Sequence, residues 1–275
     1  MLKMVLVVRV ELVIFVDGIL YQFLQQGLLL PPELISLGGL ILALLAIEVF
    51  RRLWGLGGLH VYNALVLCLA NIQVLHVTQY HLYPDPMPLG TVLFATLFLT
   101  NTLIVESYGA KAAKQSVTLS MCAYIFFAFS MLASLAHKPA IGGEPFLHEA
   151  RLNHEAMVRV FVPSVRIFLA SIASFGVSQL VNVILFDRLF HYTKWESRRW
   201  TRLTALLTSA FVDNTVFSYL AFVILTPVHV PAPVLWKGYI LGSLGLRAVV
   251  IVLILGFHNF VREIARRVVT LSKKN

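Results

Sequence analysis

Charged residues are scarce in this chain of 275 residues, in which Asp, Glu, Lys and Arg together make up 13% and hydrophobic residues 59%. A soluble domain carries about 25% charged residues, and it would have to hide almost every uncharged position of this sequence from water. A lipid bilayer is the simpler solvent for such a chain, whose mean hydropathy is +0.83. The sequence therefore predicts an all-α fold, a polytopic bundle of transmembrane helices.

Cysteines and enzyme motifs are also scarce. The two cysteines, Cys68 and Cys122, lie inside apolar runs, so no disulfide framework is expected. The sequence has no Walker A loop, no GxSxG or HExxH motif, and no Cys/His cluster with zinc spacing. We therefore expect neither an enzyme nor a metal site or cofactor. The alternative of another class is a membrane enzyme that acts on a lipid-linked substrate through Asp213 and either His76 or His258.

Eight apolar segments are long enough to cross the hydrocarbon core, which takes roughly 20 residues of helix. The predicted spans are 4–26, 33–50, 59–80, 87–107, 115–136, 160–186, 203–225 and 235–262. The first contains Arg9, Glu11 and Asp17, so an amphipathic helix at the membrane surface is its alternative. It has no signal-peptide cleavage pattern. Residues 137–158 are expected to form a loop.

Lysine and arginine are distributed unevenly between the two sides of the predicted bundle. Sixteen fall on the side of both termini, and four fall on the other side, at Lys138, Arg151, Arg159 and Lys237. Basic residues accumulate on the cytoplasmic side of membrane proteins, so both termini are expected in the cytoplasm. Because the basic residues form short clusters between apolar runs, they do not predict a nucleic-acid-binding surface.

Polar side chains interrupt several predicted spans, although an ionisable group costs about 2.5–3.5 kcal/mol at the bilayer centre. They are Asn71, Gln73, Asn101, Glu106, Arg166, Gln179, Asn182, Asp213 and Arg247, together with a stripe formed by Ser171, Ser174 and Ser178. Each has a simple structural explanation: the serines allow close helix packing, Asp213 pairs with Arg247, and Glu106 reaches towards Lys111. Together, with aromatic residues one turn away, they favour a flat, hydrogen-bonding, partly cationic ligand over a lipid or a metal.

Four short segments, in this order, resemble motifs of the queuosine precursor transporter family, part of the vitamin uptake transporter group. Residues 70–75 read Ala-Asn-Ile-Gln-Val-Leu, and residues 106–109 read Glu-Ser-Tyr-Gly. Residues 166–171 read Arg-Ile-Phe-Leu-Ala-Ser, and residues 213–217 read Asp-Asn-Thr-Val-Phe. The resemblance extends over 59–262. Asparagine stands at 101 and 182, where the family often has aspartate, so each position keeps its hydrogen bonding and loses a negative charge.

The resemblance implies a six-helix core at 59–275, similar to the substrate-binding components of energy-coupling-factor importers. An N-terminal extension at 1–58 would add one or two helices. The implied function is import of queuine or a pre-queuosine 7-deazaguanine base across the bacterial inner membrane for tRNA modification. The alternative within transport is a binding subunit for a vitamin or other small molecule that needs a separate ATPase module. Self-association also stays open.

On this interpretation the amides and acids would bind the edges of the base, and the phenylalanines would stack on its face. Arg166 and Arg247 would position the acids. The predicted substrate-binding residues are Asn71, Gln73, Phe94, Phe98, Asn101, Glu106, Arg166, Ser171, Gln179, Asn182, Asp213 and Phe217. The expected partners are therefore a nucleobase-like small molecule and the lipid bilayer.

Overall fold

A computed structural model of the chain describes residues 22, 30–81, 87–140, 142, 144–161, 165–192, 198–226, 229–245 and 247–256. Its helices are α1 (Pro32–Gln73), α2 (Gly90–Leu135), α3 (Pro145–Phe161), α4 (Val165–Tyr192), α5 (Arg198–Tyr219) and α6 (Ala232–Gly256). A π-helical turn, Leu220–Ile224, extends α5, and a π-helical stretch, Leu235–Gly242, lies within α6. Two short antiparallel strands, β1 (Val77–Thr78) and β2 (Met87–Pro88), connect α1 to α2. The predicted all-α bundle is confirmed.

Each of the two longest helices is a hairpin that turns back at a glycine. Gly55 in α1 has φ 55° and Gly109 in α2 has φ 84°, a left-handed backbone that glycine adopts without steric cost. The rings of Phe50 and Tyr62, on either side of the first turn, lie 6.2 Å apart. Twelve residues of straight helix would separate them by about 18 Å. The halves of these hairpins are α1a (32–54), α1b (56–73), α2a (90–108) and α2b (110–135).

Within the part of the chain that the structure describes, five helices are long and apolar enough to cross a membrane. Two of them supply two crossings each, because 42 residues in α1 and 46 in α2 would make straight rods of about 63 and 69 Å, roughly twice the hydrocarbon thickness. Seven of the predicted spans therefore correspond to helices of the bundle. The predicted first span, 4–26, lies outside the described residues except at residue 22, and so do residues 257–262 of the last.

The loop predicted at 137–158 is wrong in its second half, where α3 covers Pro145–Phe161. Within this helix, all of which the structure describes, no residue is fully buried. Leu147, His154, Met157, Val158 and Phe161 are half-buried along one face, and the charged residues are exposed. Such an amphipathic helix has a mean hydropathy typical of a loop, so only its 3.6-residue period distinguishes it.

The central helix of the bundle is α2a, whose residues 95–105 are all buried. The helices α1, α4 and α5 pack against α2. A helix that is apolar or small on every side is typical of such a position. Leu40, Leu44 and Ile47 of α1a belong to the same hydrophobic cluster as the rest of the bundle, and the division of the chain at residue 58 stays a prediction.

The two glycine turns meet at one end of the bundle. A β-carbon on Gly55 would lie 3.4 Å from the hydroxyl of Tyr108. Tyr108 directly precedes Gly109, the glycine of the second turn. Because basic residues flank both turns, at Arg51, Arg52, Lys111 and Lys114, we call this the basic end. The strands β1 and β2 lie at the opposite end, which we call the strand end.

Candidate functional site

A network of side-chain amides connects three helices at the middle of the bundle. Asn63 on α1b donates through Nδ2 to Asn101 Oδ1 on α2a at 3.0 Å and to Ser116 Oγ on α2b at 2.9 Å. Asn101 in turn donates through Nδ2 to Gln179 Oε1 on α4 at 2.8 Å. All four side chains are fully buried. The shared contact of Asn63 with 101 and 116 also shows that α2 folds back at Gly109.

The depth of this network follows from the helix lengths. Asn63 lies eight residues after Gly55, and Asn101 lies eight residues before Gly109, which is about 12 Å along each helix. Half of the hydrocarbon core is about 15 Å thick, so the amides lie close to the bilayer centre. Water is scarce at that depth, and each amide must therefore find its partners in the protein or in a ligand.

Three atoms of these central amides have no hydrogen-bond partner among the described residues. They are Gln179 Nε2, Asn63 Oδ1 and Asn182 Oδ1. The other end of Asn182 is engaged, because its Nδ2 donates to the Phe98 carbonyl at 3.0 Å. An unmet polar group in an apolar interior costs about 1–3 kcal/mol. One donor group and two acceptors are thus buried without a described partner, and a polar ligand would relieve that cost.

An ion pair lies beside the amide network. Arg247 Nη1 on α6 donates to Asp213 Oδ2 on α5 at 2.5 Å, and the two side chains are 17% and 3% exposed. Ser178 Oγ on α4 donates to the other carboxylate oxygen, Asp213 Oδ1, at 3.2 Å. The predicted pairing of Asp213 with Arg247 is therefore present. Arg247 Nε and the nearby Ser209 Oγ have no partner among the described residues.

Aromatic rings form one wall of this central cluster. The Arg247 guanidinium carbon lies 5.7 Å from the centre of the Phe94 ring, a cation–π distance. Phe94 also packs edge-to-face against Phe98 and Phe175, at centroid distances of 6.1 and 5.9 Å. Phe94 and Asp213 therefore both contact the Arg247 guanidinium.

Glu106 lies apart from the cluster, towards the basic end. Its Oε1 accepts two hydrogen bonds from Arg202 on α5, from Nε at 3.0 Å and from Nη2 at 2.5 Å. Both side chains are nearly buried. The predicted approach to Lys111 missed this partner, because Lys111 follows the Gly109 turn and leads away from α2a, whereas the first turns of α5 pack beside Glu106.

The remaining predicted site residues lie nearer the strand end. Asn71 donates to the Leu67 carbonyl of its own helix at 2.8 Å, and Gln73 is exposed at the end of α1. Ser171 is buried in α4, and Phe217 packs edge-to-face on Phe222 at 6.0 Å. These four are not brought into the central cluster. The Arg166 side chain lies outside the described part of the chain. The ligand contacts of all twelve residues stay a prediction.

Asn63 is a member of the cluster that is absent from the residues predicted from the sequence, although the same rule identifies it. Asn63 interrupts an apolar run of α1b just as Asn101 interrupts α2a, so the cost of a polar group at mid-membrane applies to both. Asn214 is a second buried amide, and its Nδ2 donates to Ser243 Oγ at 2.8 Å. Arg202 had no such signal, because it lies among other basic residues in the sequence.

A family model described as "Putative vitamin uptake transporter" matches residues 88–261, from β2 through α6. The match covers most of the chain and every helix that carries the central cluster except α1b. The chain belongs to this family. The vitamin uptake transporter family member described here is thus a multi-pass membrane transporter.

Two curated proteins are similar to this family member. A Bacillus subtilis (strain 168) protein named "Probable queuosine precursor transporter" is 24% identical over 191 residues, which is 69% of this chain and 79% of that protein. A Haemophilus influenzae (strain ATCC 51907 / DSM 11121 / KW20 / Rd) protein of the same name is 28% identical over 134 residues, 48% of this chain and 51% of that protein. No solved structure gives a significant match.

Proposed function

We propose that this transporter imports a queuosine precursor, queuine or a pre-queuosine 7-deazaguanine base, across the bacterial inner membrane for tRNA modification. The observation that carries the proposal is the set of buried amides at mid-membrane, with one donor and two acceptors unmet among the described residues. The names of the two similar proteins support the choice of cargo. Import by the chain itself, without an ATPase module, is part of the proposal.

The chemistry of the base matches the chemistry of the amides. A guanine-like edge offers a carbonyl acceptor next to ring N–H and exocyclic amine donors. Gln179 Nε2 would donate to the carbonyl, and the side-chain oxygens of Asn63 and Asn182 would accept from the amine and the ring N–H. A site built to bond such groups discriminates strongly against analogues that lack them, because its own buried groups are then left unpaired.

The ion pair would hold the second edge of the base. Arg247 Nε has no described partner, while Asp213 and Phe94 fix the guanidinium in place. A ring nitrogen or carbonyl of the base would accept from this Nε. Phe94, which is only partly buried, would contact the flat face of the base, since ring faces and edges favour stacked or perpendicular packing.

The direct test is uptake in bacterial cells that cannot make queuosine precursors, measured as queuosine in their tRNA. We expect the wild-type gene to restore queuosine when queuine or a precursor is supplied. Gln179→Leu should lower the uptake rate at least tenfold, because it removes a donor and an acceptor from the amide network. Thr215→Val is the matched control: its hydroxyl bonds only the Phe211 carbonyl of its own helix, so uptake should be unchanged.

Failure of the wild-type chain to restore queuosine, with protein present in the membrane, would refute the proposed cargo. Normal uptake by Gln179→Leu would instead refute the assignment of the central cluster as the binding site. Membrane protein levels of each variant are measured by immunoblot, so that a folding defect is not mistaken for a binding defect.

A vitamin is the second candidate cargo, because the family description names vitamin uptake. A thermal-shift panel on the purified protein separates the two classes. We expect guanine, queuine and the two pre-queuosine bases to raise the unfolding temperature in a graded series, and unrelated vitamins to leave it unchanged. Accumulation of the same base by liposomes that contain only this chain would show that no ATPase module is needed.

A further inference from the structure

We propose that a cavity in the strand-end half of the bundle is an access subsite, where a flat heteroaromatic base binds before it reaches the central cluster. This inference rests on the proposed function and adds a second station to the same path. The cavity has a volume of about 300 Å³ and lies between α1b, α2b, the end of α3 and the start of α4. Small-molecule pockets begin at about this volume.

Five of the sixteen residues that line the cavity are aromatic. Tyr124 and Phe168 form one ring pair, with centroids 5.0 Å apart, and Phe127 and Phe161 form another, at 5.9 Å. All four rings line the cavity. A flat aromatic ligand would pack against such rings in offset or edge-to-face geometry.

Polar groups line one wall of the same cavity. Cys68, Asn71 and Tyr124, which carry polar atoms, belong to its lining. The Asn71 amide nitrogen donates to the Leu67 carbonyl at 2.8 Å, so the side-chain oxygen is the group that would accept a hydrogen bond from a ligand N–H. A hydrocarbon chain would make no use of an amide oxygen, whereas a base offers the N–H groups that match it.

Two facing stripes connect this cavity to the central amide network. On α2b, Ser116, Ser120 and Tyr124 recur every fourth residue, and all three are buried. On α1b, Asn63 and Asn71 are eight residues apart, which is about 12 Å along the same helix face. The stripes meet at their inner ends, where Asn63 Nδ2 donates to Ser116 Oγ at 2.9 Å. Their outer ends line the cavity.

The balance of apolar and polar groups suits a station that binds weakly. The rings contact the faces of a base, but Asn71 and Tyr124 satisfy only part of its hydrogen-bonding edge. Each unmet polar group of the ligand lowers its affinity for the cavity. The base therefore binds more favourably at the amide network, which offers more hydrogen-bonding partners. A first station that bound the base tightly would hold it back.

Protection of Cys68 from a thiol reagent tests occupancy of the cavity. In the Cys122→Ser background, Cys68 is the single thiol of the chain, and it lines the cavity. The rate of labelling by N-ethylmaleimide is measured in membrane vesicles with and without 7-deazaguanine or queuine. We expect the base to slow labelling at least fivefold, in a saturable manner. Unchanged labelling in vesicles that take up the base would overturn the proposal.

Filling the cavity gives an independent measurement. Ala128 belongs to the lining, whereas Ala133 is exposed on the same helix, so Ala128→Phe is compared with Ala133→Phe. We expect Ala128→Phe to lower queuine uptake at least tenfold and Ala133→Phe to leave it unchanged, at equal membrane levels. Wild-type uptake by both variants, together with unprotected Cys68, would overturn the access subsite alone. Absence of uptake by the wild-type chain would instead overturn the proposed function.

Discussion

Asp213 and Arg247 carry opposite charges at the middle of the bundle, and each is stable there because of the other. Breaking a buried pair by removing one partner costs about 3–5 kcal/mol, since the remaining charge has no compensation. Asp213→Asn should therefore lower the unfolding temperature in detergent strongly, and it should abolish uptake. The double variant Asp213→Asn/Arg247→Gln should recover most of the stability, because neither charge remains.

Uptake distinguishes the two roles of this pair. If the pair also orients the ligand, the double variant will fold without transporting. Restored uptake in the double variant would mean that the pair only neutralises charge, and the binding role of Arg247 would have to be abandoned.

Asn101 stands at a position where the family that the chain resembles often has aspartate, so Asn101→Asp is an informative variant. Its amide nitrogen donates to Gln179 Oε1, and Gln179 Nε2 has no described partner. In Asn101→Asp, rotation of the Gln179 amide by half a turn would let Nε2 donate to the new carboxylate. We therefore expect the variant to fold, and to prefer a base that carries an aminomethyl group by about fivefold, since a charged hydrogen bond is about 1 kcal/mol stronger than a neutral one.

Competition uptake measures that preference directly, with labelled 7-deazaguanine against unlabelled aminomethyl base. Asn101→Leu serves as the control that removes the hydrogen bonds without adding charge, and it should weaken uptake of both bases. An Asn101→Asp variant with unaltered preference would show that position 101 does not contact the substituent of the base.

The cost of a polar group at mid-membrane predicts Asn101, Gln179, Asn182 and Asp213 as site residues. The structure buries all four side chains, and their contacts with a ligand stay a prediction. Glu106 shows the limit of this reasoning. Its partner, Arg202, lies 96 residues away in the sequence, and only the packing of α5 beside α2a brings them together.

At the scale of elements, the glycine turns make each of the two longest helices a hairpin. Gly109→Ala would place a side chain on a left-handed backbone, at a cost of about 1–3 kcal/mol, although no neighbouring atom blocks the new β-carbon. Gly57→Ala is the matched control, because it also meets no atom within 4 Å and has an ordinary helical backbone. We expect a lower unfolding temperature for Gly109→Ala alone.

The same comparison separates backbone strain from side-chain crowding. A destabilised Gly57→Ala would show that any added methyl group in these turns is harmful, contrary to the strain argument. Alanine favours helix over glycine by about 1 kcal/mol, so this control should be neutral or slightly more stable.

Helices were predicted well where mean hydropathy identifies them, and poorly where only the 3.6-residue spacing of apolar residues does. Apolar runs of about 20 residues mark membrane helices whatever their neighbours are, so seven predicted spans overlap helices, although some bounds differ by five to seven residues. The helix α3 was missed because its polar face lowers the average of the segment. Its half-buried face, with Leu147 and Phe161, recurs at helical spacing and was readable in principle.

At the scale of the whole molecule, the most buried residues and the basic residues lie in different places. Burial is greatest along α2a, which is surrounded by α1, α4 and α5, while basic residues gather at the end that carries both glycine turns. The central cluster lies beside α2a, and the proposed access subsite lies between this cluster and the strand end. Cargo that enters at the strand end would therefore move towards the basic end.

This direction makes import depend on orientation, which the basic residues predict. Sixteen lysines and arginines fall on the side of both termini and four on the other, so the basic end is expected in the cytoplasm. A fluorescent protein fused after Asn275, which is fluorescent only when it folds in the cytoplasm, should be bright. Alkaline phosphatase inserted after Ala140, between α2 and α3, should be active because it folds only outside the cytoplasm. The opposite pair of results would place the access subsite inside the cell, and the same two stations would then describe export.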